Sequence, residues 1–263
     1  MPTVELENGK ILAYDDIGEG MPVLFIHPPG MGRHVFYFQR KLSHKMRVIL
    51  PDLSGHGDSS RIDANTVSVK NYGEELISLL DKLEIDRAII CGYSAGGMIA
   101  QYMSIHYQNR INGLILFGGY PTVLDPLFKM EHKAGMFIVE RQREFLSRIL
   151  AISHTKDMKL RKLLFEHMGK AQIDVWSKYY FEVMHYNLIS ELKNISVPVL
   201  IIDGSKSDLT NKYHSYYKKR IKQLRVVLIK KTNHQVPTKR WEIANKEIEL
   251  FCKKIKLKEG KEE

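Results

Sequence analysis

Cysteine is scarce in this chain. Two cysteines, Cys91 and Cys252, in 263 residues are too few for a disulfide framework or a four-ligand metal knuckle. The 11 histidines show no HExxH spacing and no CxxC pair stands near them, so the usual signatures of a zinc site are missing. No apolar run approaches the ~20 residues of a membrane-spanning helix, and the opening MPTVELENGK has neither the basic start nor the apolar core of a secretory signal. These absences predict a soluble, cytoplasmic protein with no membrane span, no metal and no cofactor, working as a monomer or homodimer.

Acidic residues are in deficit, but only locally. Residues 205 to 263 hold 17 Lys/Arg against 7 Asp/Glu, which accounts for the whole net charge of +10, while the first 204 residues are balanced. A basic stretch of this kind favours anionic partners. Here, however, the lysines alternate with Ile243, Ile248, Leu250, Phe251, Ile255 and Leu257 at helical spacing, the pattern of an amphipathic surface helix with a solvated face. No zinc finger, helix-turn-helix or RNA-binding signature accompanies the charge, so no nucleic-acid partner is expected.

Short apolar runs alternate with helical patterns along the chain, the sequence sign of an α/β fold with a mostly parallel sheet covered by helices on both faces. Eight strands are expected. Val4–Leu6 and Ile11–Asp15 alternate as an antiparallel start; Val23–Ile26, Val48–Leu50, Ala88–Gly92, Leu114–Gly118, Val199–Ile202 and Val226–Ile229 are continuous runs suited to burial on both sides. Residues 120–195, between the sixth and seventh strands, far exceed a plain crossover and predict a helical cap inserted into a core formed by residues 1–119 and 196–263. The closing LKEGKEE predicts a frayed tail.

Chemistry is written most clearly at residues 92–96, Gly-Tyr-Ser-Ala-Gly, directly after one expected strand and directly before an expected helix. A turn that tight needs small residues around its serine, and it lifts the hydroxyl to the N-terminus of the following helix, whose dipole favours a developing anion. Ser94 is therefore the candidate nucleophile.

With FIHPPGMG at residues 25–32 and DLSGHGDSS at residues 52–60 added to this elbow, the chain resembles the α/β-hydrolase superfamily over almost its whole length. The first segment is similar to that family's oxyanion loop and the second to its turn after the fourth strand. The resemblance implies an acid after the seventh strand and a histidine after the eighth, positions matched by Asp208 in IIDGSKSDLTN and His234 in KKTNHQVP, in the order Ser, Asp, His. Ser207 occupies the commonest acid position, so Asp203 and Asp125 stay as alternatives to Asp208. His27, Asp52 and His56 are expected to build loops rather than react. The family's second oxyanion donor would fall on Pro29, which has no N–H; Gly30 is expected to replace it, beside the Ala95 N–H.

The function implied is a serine hydrolase acting on a small, hydrophobic carboxylic ester or lactone through an acyl-enzyme. Sibling activities on the same triad, carbon–carbon bond hydrolysis and perhydrolysis, remain open, as does a hydrolase-like ligand sensor with little turnover. In the expected cap, Met130, Met136, Phe137, Phe145, Trp176, Tyr179, Tyr180 and Phe181 are candidates for an acyl pocket, with about half of them expected in the cap's own packing.

Overall fold

The computed structural model describes residues 2–7 and 9–259, the side chains of Asp208, Lys258 and Glu259 excepted. Eight strands form one sheet in the order β1-β2-β4-β3-β5-β6-β7-β8: β1 (Thr3–Glu5), β2 (Ile11–Ile17), β3 (Pro22–Ile26), β4 (Arg47–Pro51), β5 (Ala88–Tyr93), β6 (Ile111–Phe117), β7 (Val199–Gly204) and β8 (Leu224–Ile229). The pairings of β2 with β1 and β4 are antiparallel; the remaining ones are parallel. Each of the eight expected strands is present.

Alternation explains why the central strands read as unbroken apolar runs. Leu24, Ile26 and Ile90 pack into the layer holding α1 (Val69–Lys82) and α2 (Gly96–His106), while Val23, Phe25, Ile89 and Cys91 pack into the opposite layer with α9 (Trp241–Glu259). Both faces of the strands are thus removed from water. Helix α1 starts where the Ser68 hydroxyl accepts the Asn71 N–H at 3.0 Å, a side-chain cap for an otherwise orphaned donor. Strand β8 departs from expectation. It is one of the sheet's two edge strands, and only Ile229 is buried: Leu224–Val227 are half-buried and Leu228 is 50% exposed.

Between β6 and β7 lie α3 (Pro126–His154), α4 (Met158–Met168) and α5 (Ile173–His185), with α3 bent at Gln142. Their aromatic and methionine residues do not mainly face a pocket. Met130, Phe137, Phe145 and Phe181 are exposed, whereas Trp176 and Tyr179 are fully buried. After β7 come α6 (Asp208–Asn211) and α7 (His214–Arg220); after β8, α8 (Val236–Lys239) precedes α9. The segment expected to fray is helical through Glu259, and Gly260–Glu263 lie outside the described residues. Among the described residues, no helix is long and apolar enough to cross a membrane.

Candidate active site

The turn between β5 and α2 places Ser94 at φ +53°, a left-handed conformation unfavourable for a non-glycine residue. Backbone contacts hold it there. Ser94 N–H donates to Phe117 O at 2.8 Å and Gly97 N–H donates to Ser94 O at 2.9 Å. A side chain on Gly92 would fall on Gly97, and one on Gly96 would fall on the Ile26 carbonyl, so the small residues of the motif are required by the turn itself.

Ser94 lines a cavity of about 440 Å³ together with Pro28, Met31, Tyr93, Ala95 and His234. Tyr120, Phe128, His132, His154 and Tyr180 form further parts of its wall. His234 reaches this cavity because two glycines allow close approach. A side chain on Gly204 would fall on the Thr232 and Asn233 carbonyls, and one on Gly118 would fall on the His234 ring. Burial lowers the His234 pKa, with Asp203 acting in the opposite direction. Among the described residues no hydrogen bond joins Ser94 Oγ to His234; such contacts often tighten only when substrate is bound.

The three candidate acids have different surroundings. Asp203, fully buried at the end of β7, accepts the Gly118 N–H at 2.6 Å and the His214 Nε2–H at 2.6 Å. Asp125 caps α3 by accepting the Leu127 N–H at 2.9 Å, and it pairs with Lys212 Nζ at 2.5 Å. Asp208 begins α6 directly after Ser207, a residue that lines the cavity; the Asp208 side chain lies outside the described part of the structure.

On the oxyanion side, the Ala95 and Gly30 amides have no acceptor among the described residues, whereas Met31 N–H donates to Pro28 O at 3.3 Å. Gly30 adopts φ +78°, and a side chain there would fall within the Trp176 ring. Pro28, Pro29 and Met31 line the cavity, but Gly30 is not among its lining residues.

His27, Asp52 and His56 build the neighbouring loops. His27 Nδ1–H donates to Pro28 O and its Nε2 accepts the Leu53 N–H, both at 2.9 Å. Asp52 accepts the N–H groups of Arg33 and Asp58, the Arg33 guanidinium, and His167 Nε2–H from α4 at 2.9 Å. Asp52, Asp58 and His167 bring ligand-type atoms within 4.8 Å of one another. The Arg33 guanidinium bonds both carboxylates and Lys170 Nζ pairs with Asp58 at 2.6 Å, so two cations meet the two carboxylates in a network that ties α4 to the loop after β4. His167 carried no signal in the sequence, being one helical histidine among several. Tyr93 was visible as the variable residue of the elbow, but nothing in the sequence connected it to His154.

The chain is 34% identical over 107 residues to 2-hydroxy-6-oxo-2,4-heptadienoate hydrolase of Pseudomonas putida, a stretch that spans only 39% of either protein. It is 23% identical over 208 residues to 3-oxoadipate enol-lactonase 2 of Acinetobacter baylyi, covering 76% of this chain and 77% of that one. Esterase EaEST from Exiguobacterium antarcticum superposes with a TM-score of 0.86 at 19% identity, over 95% of this chain and 98% of the other. Residues 21–157, just over half of the chain, match the family model described as alpha/beta hydrolase fold, and it is to this family that the chain belongs.

Proposed function

We propose that the protein is a serine hydrolase that cleaves a small, largely apolar carboxylic ester or lactone through an acyl-enzyme on Ser94. The observation that carries this reading is the left-handed Ser94 at the head of α2, opening into a cavity that His234 shares. The fold's relatives named as an esterase and an enol-lactonase support the substrate class.

In this reading Ser94 Oγ attacks the acyl carbon while His234 takes its proton. The negative charge that develops on the acyl oxygen is met by the Ala95 N–H and by the Gly30 N–H, the replacement for the donor that Pro29 lacks. Collapse returns the proton to the departing alkoxide, and water then repeats the sequence on the acyl-enzyme. Residues 120–195 serve as a cap over the core, limiting the water that reaches the reacting groups. Among the described residues the cavity wall includes no arginine, and its charged lining residues are one lysine, Lys206, and one acid, Glu131, a lining that suits a neutral acyl group better than a carboxylate-bearing one.

Asp208 is the proposed acid, and Asp203 a structural carboxylate. Asp208→Asn is expected to cut turnover by about 10⁴-fold with the melting temperature kept. Asp203→Asn should act the other way round, because it disturbs two buried hydrogen bonds and costs roughly 1–3 kcal/mol of stability. If kinetics and melts show the reverse ranking, the acid is Asp203. With the His234 pKa lowered by burial, the base is already neutral below the ordinary histidine value of about 6.5. Turnover should accordingly rise with pH through a midpoint under that value; a midpoint well above it would contradict this environment for the base.

The direct test of function is labelling of Ser94 by a fluorophosphonate, followed by the structure of the adduct and by turnover of a panel of nitrophenyl esters, lactones and vinylogous diketones. Multiple turnovers of an ester or lactone support the proposal. A phosphonyl oxygen bound by Ala95 N alone would remove Gly30 from the site. Preference for the diketone would favour carbon–carbon bond hydrolysis, the activity for which the 34%-identical Pseudomonas relative is named, and labelling without turnover would favour a ligand sensor.

A further inference from the structure

Two histidines of α3 that line the cavity, His132 and His154, are held by the same device. His132 Nδ1 lies 2.9 Å from the Phe128 carbonyl four residues earlier, and His154 Nδ1 lies 2.7 Å from the Leu150 carbonyl in the same relation. A carbonyl oxygen only accepts, so the proton of each ring is on Nδ1 and each Nε2 is a bare acceptor. Each accepts a tyrosine hydroxyl at 3.0 Å: His132 that of Tyr120, His154 that of Tyr93.

The His154 pair touches the proposed base. Tyr93 is fixed at one end by β5 and at the other by His154, and its ring lies 5.3 Å from the His234 ring, centre to centre, at 34°. The carbonyl of His154 also accepts the Thr238 hydroxyl at 2.7 Å, four residues beyond His234 on the segment that carries it. One residue of the insertion thus holds both the aromatic surface beside the base and the chain that presents it.

We propose that His154 is a positioning residue: by accepting the Tyr93 hydroxyl and the Thr238 hydroxyl it couples the seating of α3 to the orientation of His234. The proposal rests on His234 as the base of the reaction above. Groups that bear on the His234 charge come from several elements. Asp203 on β7 favours its protonated form, and His132 and His154 on α3 face it electrostatically. Lys206, Glu131 and Tyr180 share the cavity. Because burial holds both α3 histidines well below the ordinary value, at about 4, they are neutral near pH 7 and act on the base through geometry.

The test uses the full chain with Tyr93→Phe, which keeps the ring and removes the hydroxyl, His154→Phe, which keeps ring volume and removes the acceptor, and His154→Gln, which restores an acceptor. Three quantities are read: kcat and KM for p-nitrophenyl acetate, the His234 ring titration by NMR, assigned from the signal lost in His234→Gln, and the melting temperature. The expected result is a fall in kcat of about tenfold in Tyr93→Phe and His154→Phe, with KM within about twofold. The His234 midpoint should move up toward the ordinary histidine value as water gains access to the ring. The double variant should be no worse than either single one, and His154→Gln should recover most of kcat. Variants that melt lower yet keep the wild-type kcat and His234 midpoint would overturn the proposal and leave His154 as packing alone. If the wild type neither labels nor turns over, the hydrolase reading fails; the NMR midpoints then still decide whether His154 positions His234.

Discussion

Ser94→Ala is expected to abolish ester turnover, by about 10⁶-fold if the triad acts as a unit, while the protein still folds. Among the described residues the serine hydroxyl makes no hydrogen bond that packs the turn; the backbone bonds from Ser94 N to Phe117 O and from Gly97 N to Ser94 O remain when it is removed. A second substitution separates strain from chemistry. Ser94→Gly removes the same nucleophile and also suits φ +53°, so it should be more stable than Ser94→Ala by about 1 kcal/mol. Thermal melts and steady-state assays on the two variants give both answers, and a Ser94→Ala enzyme that keeps even a hundredth of wild-type turnover would disqualify the serine.

Acidification should unfold the protein at an unusually mild pH. His27, His56, His132 and His154 are buried and held neutral, with pKa values lowered to about 4, 3, 4 and 4 respectively. In the unfolded chain each would titrate near 6.5. The unfolded state therefore binds more protons than the folded one below that pH, so stability present above 6.5 is lost as pH falls toward 4. At pH 5 each ring represents roughly 2 kcal/mol, and four together approach the whole stability of an ordinary domain, ~5–15 kcal/mol. Asp52, lowered below the usual carboxylate range, adds loss only below about 4. Glu75, raised by burial, opposes the trend with one proton. Melting temperatures between pH 8 and 4.5 should drop steeply below pH 6, and His56→Gln should flatten that slope. A melting temperature constant down to pH 5 would show that these rings protonate in place.

The sheet was legible because its central strands are buried on both faces and so appear as continuous apolar runs such as Ala88–Gly92. The elbow was legible because steric crowding at Gly92 and Gly96 leaves no freedom in residue type. Burial on β8 was overestimated: Val226–Ile229 has the same composition as an inner strand, and composition does not say that a strand is outermost. The apolar residues of α3 misled in a similar way. Period 3.6 marks a helix face, yet Met130, Phe137 and Phe145 face outward rather than into the cavity. The Tyr93–His154 and Asp52–His167 bonds join residues 61 and 115 positions apart, and no local pattern encodes which of many histidines will meet which partner.

The half-exposed β8 gives the basic C-terminal stretch a physical role. An outermost strand leaves one row of backbone N–H and C=O groups without a neighbour, a template on which a second chain can pair and aggregate. The risk is real here, since β8 carries Leu228 on its open surface. The strand is bracketed by Lys222 on one side and by Lys230 and Lys231 on the other, all exposed, so two such edges brought together would set like charges against each other. At the opposite border of the sheet β1 is only three residues long, too short to template much pairing. Lys222, Lys230 and Lys231 thus stand where their charge opposes edge-to-edge association, an opposition that high salt or lysine acetylation would weaken.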